Sequence, residues 1–220
     1  MARRSSLTWQ FERGLRPEGA AVIAGVDEVG RGCWAGPVFA AAAILPEGLE
    51  HKHLKDSKAL KAEFRAVLSE FLCGHTEVRW SISVASVEEI ETHNILRASL
   101  LAMRRAVEGL SRQPELCLID GNQKAGLSCR EITVIDGDAH CPSIAAASVI
   151  AKVARDRAMA ELAGLYPGYG LENHKGYGTP EHARALTLLG PCPIHRRTFE
   201  PVRKHARAGA DDLGGDRRLR

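Results

Sequence analysis

Residues 20–32 read AAVIAGVDEVGRG: a short apolar run, then two acidic residues, then a glycine-rich segment. The apolar part, Ala20–Val26, has the length and composition of a buried β-strand, so Asp27 and Glu28 are predicted to close that strand. Adjacent strand residues point to opposite faces of a sheet. Both carboxylates can therefore serve one site only if the backbone turns there, and the glycines that follow allow such a turn. A strand that ends in two solvated acidic side chains explains this segment equally well.

Further strands are predicted on both sides of the glycine-rich segment and later in the chain. A second apolar run, Pro37–Leu45, is expected to pair with the first strand as a hairpin-type neighbour. Residues Glu77–Val84 alternate between apolar and polar side chains, which is typical of a strand with one covered face. Two shorter buried strands are predicted at Leu116–Ile119 and Ile132–Ile135, each followed by an aspartate and a glycine.

Apolar residues recur at spacings of three and four between and after these strands, which predicts helices. The predicted helices cover Ser57–Cys73, Val87–His93, Ile95–Leu110, Ser143–Leu165 and Thr179–Leu189. Ser143 is expected to cap the long fourth helix. Early strands and later helices indicate an α/β fold, a mixed β-sheet flanked by helices with a helical C-terminal part. One domain is expected over 20–204, with an N-terminal extension at 1–19 and a basic tail at 205–220.

The composition, with 45% hydrophobic and 26% charged residues over 220 positions, is that of one ordinary soluble domain. The net charge of +3 matches the excess of basic residues after Val202, so charge alone does not identify a partner. The six cysteines form no Cys-x-x-Cys pair, which suits a reducing cytoplasm. No signal peptide is recognisable, and the longest apolar run, Val38–Leu45, is far too short to span a membrane. A cytoplasmic protein without membrane contact is expected.

Two further acidic residues, Asp120 and Asp138, follow the ends of the later predicted strands. Acidic residues at several strand ends can converge on one sheet edge, where α/β folds bind their ligands. Four carboxylates in one place repel one another unless a cation neutralises them, and oxygen ligands of this kind suit Mg²⁺ or Mn²⁺ rather than zinc. Two such ions, about 3.5–4 Å apart, can hold the attacking water and the leaving oxygen of a phosphodiester. Asp136 is a further candidate on spacing alone.

Nine segments, in order, make the chain resemble the ribonuclease HII family over nearly all of Ala24–Val202. They are GVDEVGRG at 25–32, AGPV at 35–38, DSK at 56–58, NIL at 94–96, IDGN at 119–122, GDA at 137–139, SIAAASVIAKVARD at 143–156, YPGYGLENHKGYGT at 166–179 and HRRTFEPV at 195–202. Arg31 favours this family over the related ribonuclease HIII, which tends to carry lysine at that position. The resemblance implies a ribonuclease H-like fold.

The resemblance also implies a catalytic site and an activity. It assigns metal binding and catalysis to Asp27, Glu28, Asp120 and Asp138, and it selects Asp138 over Asp136 because the family's aspartate follows a glycine. It implies an endonuclease that hydrolyses the RNA strand of RNA/DNA hybrids and cuts 5′ to ribonucleotides embedded in duplex DNA. Two Mn²⁺ or Mg²⁺ ions would take part, and the products would carry 3′-hydroxyl and 5′-phosphate ends. The cellular role would be removal of ribonucleotides misincorporated into DNA.

Substrate recognition is implied by the same resemblance. Telling RNA from DNA requires contact with the 2′-hydroxyl, and the backbone of the loop Gly30, Arg31 and Gly32 would make it. Tyr177 would pack on the sugar of the following deoxynucleotide and so favour RNA-to-DNA junctions; packing on its own glycines is the alternative. Lys58 and Lys175 would contact phosphates. Further basic side chains with that potential role are Lys152, Arg155 and Arg196.

Three histidines, His174, His182 and His195, are expected to be structural or to contact phosphate, since metal-activated water needs no histidine base. A non-catalytic nucleic-acid-binding module on this fold would show a broken acidic set, whereas all four positions are intact. Another phosphotransfer enzyme, such as a junction nuclease, is disfavoured by the Gly30–Gly32 loop and by HKGYGT at 174–179. A monomer is the default expectation, and contact with a replication clamp is not specified by the sequence.

Overall fold

The computed structural model describes residues 7–15, 22–54 and 60–205. Lys58 and residues 206–220 of the predicted tail lie outside this range. The core of the fold is a five-stranded sheet with the strand order β3-β2-β1-β4-β5. Its strands are β1 (Ile23–Val29), β2 (Val38–Ile44), β3 (Arg79–Ala85), β4 (Leu116–Asp120) and β5 (Arg130–Val134).

The sheet is mixed, and its register determines where the acidic residues lie. Strand β2 runs antiparallel to both of its neighbours, while β1, β4 and β5 run parallel to one another. Val26 of β1 is paired with Ile119 of β4, so Asp27 and Asp120 are the next residues along two adjacent parallel strands. Adjacent strands lie about 4.8 Å apart, and these two aspartates therefore share one edge of the sheet.

Helices cover both faces of the sheet. They are α1 (Gln10–Leu15), α2 (Ala62–Gly74), α3 (Val87–His93), α4 (Ile95–Glu108), α5 (Pro142–Leu165), α6 (Leu171–His174) and α7 (Pro180–Leu189), and residues 200–205 are also helical. One face packs against α4, and the other packs against α5, which in turn is covered by α2. The predicted α/β architecture and its helical C-terminal part are confirmed.

The long helix α5 approaches the sheet most closely at Gly25. A Cβ atom built at Gly25 would lie 2.1 Å from the backbone nitrogen of Ile144 and from the carbonyl carbon of Ser143. Only glycine fits such a contact between two backbones. The alanines at 145, 146 and 147 are all completely buried against the sheet, as their small size predicts. The strand that carries Asp27 and Glu28 is therefore fixed against α5 over its whole length.

The prediction that Ser143 caps α5 is wrong. The helix begins one residue earlier, at Pro142, and its N-cap Cys141 makes no side-chain capping bond. Instead, the buried carboxylate of Glu12, in α1, accepts hydrogen bonds from the backbone nitrogen and the hydroxyl of Ser143, at 2.9 and 2.8 Å. Free N–H groups and a partial positive charge at a helix start favour such a carboxylate. A residue from the N-terminal segment thus takes the capping role.

Smaller differences occur at the sheet margins. Strand β1 continues to Val29, one residue beyond the predicted end at Glu28, because β2 pairs with it from Gly25 to Val29. Ile135, predicted as a buried strand end, lies outside β5 and is 72% exposed. Trp80 and Val84 on β3 remain partly exposed because β3 is an edge strand whose apolar face is incompletely covered. None of the helices in the described ranges has both the length and the apolar character needed to cross a membrane.

Candidate active site

Four carboxylates predicted from the sequence lie along one edge of the sheet, and they are called the carboxylate cluster here: Asp27, Glu28, Asp120 and Asp138. The first two are on β1, and Asp120 is the last residue of β4. Asp138 is in a short 3₁₀ turn, Gly137–Ala139, that follows β5. This turn is attached to β4 because the Gly137 backbone nitrogen donates to Asp120 Oδ1 at 2.7 Å. Asp27 and Asp138 are both buried.

The backbone does not turn between Asp27 and Glu28, contrary to the condition set by the sequence. Both residues are in regular pairing with β2, opposite Ala41 and Ala40. Asp27 faces α5, where it hydrogen-bonds with Ser148, while Glu28 faces a cleft beside α4. Asp120 interacts with both of these residues. It is the last residue of β4, and its carboxylate acts on Asp27 on one face of β1 and on Glu28 on the other face.

Electrostatics link three of these carboxylates, Asp27, Glu28 and Asp120. Burial, together with the negative charges of Glu28 and Asp120, raises the pKa of Asp27 well above its usual value. Burial and the charge of Asp120 also raise the pKa of Glu28, although Arg31 opposes that rise. Burial and like charges both disfavour the ionised form. A raised pKa at two adjacent acids in a cleft is a recognised sign of a functional site.

A donor from the protein holds each of Asp27, Glu28 and Asp120, the last through the Gly137 backbone nitrogen. Asp27 Oδ1 accepts from the Glu28 backbone nitrogen at 2.7 Å, and Glu28 Oε1 accepts from Arg31 Nη1 at 3.0 Å. In the part of the chain that the structure describes, no three His, Cys, Asp or Glu side chains already stand in a metal-binding arrangement. The chemistry of the set, oxygen donors only, fits Mg²⁺ or Mn²⁺. Glu28 can use both of its oxygens for such an ion only by releasing Arg31, which bonds to Oε1.

Asp136, the alternative to Asp138, occupies a different environment. It is exposed, and it precedes the 3₁₀ turn in the left-handed backbone conformation, with φ of 53°. Aspartate and asparagine tolerate this conformation better than most residues. Asp138 is buried within the turn that is bonded to Asp120. The structure therefore associates Asp138, and not Asp136, with the sheet edge.

The predicted glycine loop directly follows β1. Gly30 has φ of +97°, and a Cβ there would collide with the guanidinium of Arg155, 2.2 Å from its Nε. At Gly32 no atom lies within 4 Å of a Cβ, so this glycine leaves open space above the loop. The side chain of Arg31 between them is about half exposed and bonds to Glu28. Gly30 is thus required by packing, while Gly32 keeps the surface beside the carboxylate cluster clear.

Two arginines named as potential phosphate contacts have another role. Arg155 and Arg196 are completely buried. Arg155 donates to the carbonyl oxygens of Pro37, Lys175 and Ala35, at 3.1, 2.9 and 3.2 Å. Arg196 donates to those of Gly36 and Arg31, at 2.7–2.9 Å. These side chains fix the loop 31–37 from below, so the prediction of a surface contact is wrong for both.

Tyr177 lies in a second loop, residues 174–178, called the tyrosine turn here. This turn packs on the glycine loop because the Trp34 backbone nitrogen donates to Gly176 O at 2.8 Å. The Tyr177 ring is 40% exposed and lies 5.6 Å from Lys152 Nζ. Lys175, the predicted phosphate contact, donates from Nζ to the carbonyl of Glu172 at 2.6 Å. The structure therefore brings Tyr177 close to the segment that follows the predicted glycine loop.

A narrow cleft of about 80 Å³ lies between the ends of β1 and β4 and helix α4. Glu28, Arg31 and Asp120 supply its charged lining, and apolar side chains of α4 complete the wall: Leu96, Leu100 and Met103. Leu96 and Leu100 were predicted to lie on the buried stripe of α4, but they are only half-buried because they border this cleft. The periodicity of α4 does not distinguish these two leucines from the buried Met103 and Val107, so the sequence could not locate the cleft.

Comparison with known proteins identifies the family. The model of the ribonuclease HII family matches residues 24–202. The chain is 52% identical to ribonuclease HII of Bordetella pertussis over 84% of its own length and 92% of that protein. It is 53% identical to ribonuclease HII of Parvibaculum lavamentivorans over 88% of this chain and 71% of that one. Among solved structures, ribonuclease H2 from Pyrococcus horikoshii superimposes with a TM-score of 0.71 at 27% identity, covering 84% of this chain and 97% of that one. The chain therefore belongs to the ribonuclease HII family and is a ribonuclease H.

Proposed function

We propose that this ribonuclease H hydrolyses the RNA strand of RNA/DNA hybrids and also cuts duplex DNA on the 5′ side of an embedded ribonucleotide. The products would carry 3′-hydroxyl and 5′-phosphate ends. The observation that carries the proposal is the carboxylate cluster, in which the pKa values of Asp27 and Glu28 are raised, directly beside a glycine loop that leaves open space at Gly32. Removal of ribonucleotides misincorporated into DNA, in the cytoplasm, would be its cellular role.

The metal would be held by Asp27, Glu28, Asp120 and Asp138. Mg²⁺ or Mn²⁺, as a pair of ions during catalysis, would supply charge stabilisation at the phosphate and a lowered pKa of the attacking water. Asp27 and Asp120 are on adjacent parallel strands, so the sheet fixes their separation before any ion binds. Glu28 lies on the other face of β1, where Arg31 donates a hydrogen bond to it. When Glu28 takes up an ion, the Arg31 side chain would be released towards the substrate phosphate.

The substrate would be read by the glycine loop and the tyrosine turn. Backbone groups of Gly30, Arg31 and Gly32 would contact the 2′-hydroxyl, which is the group that distinguishes RNA from DNA. The exposed face of Tyr177 would pack on the sugar of the next deoxynucleotide. Lys58, Lys175 and Lys152 would contact phosphates, which position the duplex without reading its sequence. The chain would act on these duplexes as a monomer.

Asp120→Asn provides the direct test. The substrates are a DNA duplex with one ribonucleotide and an RNA/DNA hybrid, each incubated with and without Mg²⁺ or Mn²⁺. An asparagine Oδ1 can still accept from the Gly137 backbone nitrogen, so the fold is retained while the charge is lost. Wild type should cut 5′ to the ribonucleotide only with metal, and the variant should not. Asp136→Asn is the matched control, because it removes an exposed acid from the neighbouring turn and should retain activity.

The alternatives give different outcomes. Folded wild type that leaves both substrates intact would remove the nuclease proposal and favour a nucleic-acid-binding module. Cleavage of the hybrid alone would keep the ribonuclease activity and remove the proposed action on single ribonucleotides. Full activity of Asp120→Asn would exclude the carboxylate cluster as the catalytic site.

A further inference from the structure

Three buried histidines lie outside the carboxylate cluster: His174 is the first residue of the tyrosine turn, and His182 and His195 pack against that turn. His182 and His195 are 0% and 1% exposed, and His174 is 9% exposed. The two rings of His182 and His195 meet at Nε2, with 3.0 Å between the nitrogens. A contact of this length is a hydrogen bond only if one nitrogen carries a proton and the other does not. Both rings are therefore neutral or share a single extra proton.

The remaining hydrogen bonds determine which nitrogen carries each proton. The backbone nitrogen of Cys192 can only donate, and it lies 3.0 Å from His195 Nδ1, so this Nδ1 is an acceptor. Neutral His195 therefore carries its proton on Nε2 and donates it to His182 Nε2. His182 must then be protonated on Nδ1, which donates to the carbonyl oxygen of Tyr177 at 2.9 Å. These hydrogen bonds form a chain, called the relay here, in which each group donates to the next. The Cys192 backbone nitrogen donates to His195, His195 donates to His182, and His182 donates to the carbonyl oxygen of Tyr177.

The third histidine supports the same turn from the side. His174 stacks on His182, with ring centroids 4.5 Å apart and planes 15° apart. Its Nδ1 accepts from the backbone nitrogen of Gly176 at 3.2 Å, and its Nε2 donates to the carbonyl of Tyr169 at 2.8 Å. Histidine side chains thus bond the tyrosine turn at Gly176 and at Tyr177.

The ring of Tyr177 is fixed independently of these backbone contacts. Its hydroxyl hydrogen-bonds with the Cys33 thiol of the glycine loop. One face lies against the cationic groups of Lys152 and Arg155, at 5.6 and 5.8 Å. A Cβ at Gly178 would enter the ring of Trp34, at 2.2 Å, so the chain after Tyr177 is also in close contact. Because one face of the Tyr177 ring is held, the position of the Tyr177 backbone carbonyl determines how far the exposed face of the ring projects.

We propose that His182 and His195 are positioning residues for Tyr177. As a neutral relay, they hold its main chain so that its exposed face meets the sugar on the DNA side of an RNA-to-DNA junction. The proposal rests on the junction recognition described under the proposed function. It assigns part of the preference for single embedded ribonucleotides to two buried histidines that cannot touch the substrate.

The groups around the relay favour its neutral form. His182 faces His174, Glu181 and His205, and burial lowers its pKa. Burial and the neighbouring His182 lower the pKa of His195 to about 4, with Arg197 and His174 acting in the same direction. Of these neighbours only Glu181 is acidic, and its effect is smaller than that of burial. The relay is therefore uncharged at neutral pH, as its hydrogen-bond directions require.

The test compares two substitutions at each histidine. His182→Ala removes the donor to Tyr177, whereas His182→Asn places an amide N–H near the position of Nδ1. His195→Leu removes the donor to His182, whereas His195→Gln places an amide N–H near Nε2. The measured quantity is the ratio of kcat/KM for a duplex with one ribonucleotide to kcat/KM for a uniform RNA/DNA hybrid. Tyr177→Ala is measured in parallel, and a thermal unfolding scan verifies that each variant is folded.

The ratio should fall by about tenfold or more in His182→Ala and His195→Leu, because small misplacements of a substrate-contacting group are costly. The conservative variants should recover most of the loss. The double variant Tyr177→Ala with His182→Ala should lose no more than Tyr177→Ala alone. An unchanged ratio in folded His182→Ala, while Tyr177→Ala lowers it, would overturn the relay proposal alone. An unchanged ratio in Tyr177→Ala would overturn the junction-recognition proposal, and with it the relay. Wild type inactive on both substrates would overturn the proposed function itself.

Discussion

The carboxylate cluster and the tyrosine turn both contact the segment 30–37 but are stabilised in opposite ways. Asp27, Glu28 and Asp120 are on regular strands, and burial and like charges oppose the ionisation of Asp27 and Glu28. The tyrosine turn is irregular, with Lys175 in the left-handed region, yet its buried histidines are linked by hydrogen bonds as neutral groups. A rigid sheet can hold groups that repel one another, whereas a loop keeps its geometry only where its polar groups are satisfied.

Asp27→Asn tests the carboxylate side of this comparison and should have the largest effect on activity. We expect activity to fall by roughly 10⁴-fold, as for loss of a central catalytic group. The same change removes a buried charge that Glu28 and Asp120 repel, so the Tm in metal-free buffer should rise, by about 2–4 °C for each kcal/mol relieved. Cleavage assays and thermal unfolding with a chelator measure the two quantities. A lower Tm would show that Asp27 stabilises the fold and would contradict the assignment of repulsion.

Gly25→Ala tests the rigidity of the sheet side. The added Cβ would lie 2.1 Å from the backbone of α5, where neither element can yield locally, so we expect a loss of about 3 kcal/mol or more of unfolding free energy. Gly178→Ala is the counterpart in the tyrosine turn, where the added Cβ meets the Trp34 side chain instead of backbone. It should cost less stability, because a side chain can shift. Denaturant unfolding compares the two.

Gly164→Ala is the control for both glycine substitutions. This residue is exposed in α5 with no atom within 4 Å of a Cβ, so alanine should stabilise the helix by about 0.5–1 kcal/mol. A larger loss at Gly178 than at Gly25 would mean that the loop, and not the sheet, is the less deformable part of the site.

The two regions should also differ in the sign of their pH dependence. His195 has a folded-state pKa of about 4, below the usual 6.5, so stability is complete above pH 6.5 and is lost as the pH falls towards 4. Asp27 has a raised folded-state pKa, so its unfavourable contribution is present at neutral pH and is relieved as the pH falls. His195 therefore makes the folded protein more stable at neutral pH than at acidic pH. Asp27 has the opposite effect, because its unfavourable contribution to stability is smaller at acidic pH.

His195→Gln separates these two contributions. At pH 7 wild type should be the more stable protein, because the relay is intact. The advantage should shrink by on the order of 2–3 kcal/mol between pH 6.5 and pH 4, where wild type must keep His195 neutral and the variant has nothing to protonate. Urea unfolding of both proteins across this range measures the difference. A difference that is independent of pH would show that His195 has an ordinary pKa in the folded protein.

The sequence was informative where local pattern determines structure. The helices at 87–93 and 95–108 and the pairing of the first two strands follow from periodicity, and the sheet register then brings Asp27 next to Asp120. Contacts between distant segments could not be predicted in this way. The Glu12 carboxylate meets Ser143, and Arg196 meets Gly36, across more than 100 residues of chain. The roles of these polar side chains depend on tertiary partners that periodicity does not report.

Glu12→Ala should affect activity least directly and tests how far the carboxylate cluster depends on such a distant contact. The variant leaves the Ser143 backbone nitrogen and hydroxyl without their acceptor at the buried start of α5, which should cost about 1–3 kcal/mol. Glu12→Gln keeps an acceptor oxygen and loses only the charge near the helix N-terminus, about 0.3–1 kcal/mol. The start of α5 packs on the turn that carries Asp138. Metal titration followed by thermal unfolding should therefore show that metal stabilises Glu12→Ala less than it stabilises Glu12→Gln. Equal stabilisation of the two variants would mean that the capping contact supports only the fold and leaves the carboxylate cluster unaffected.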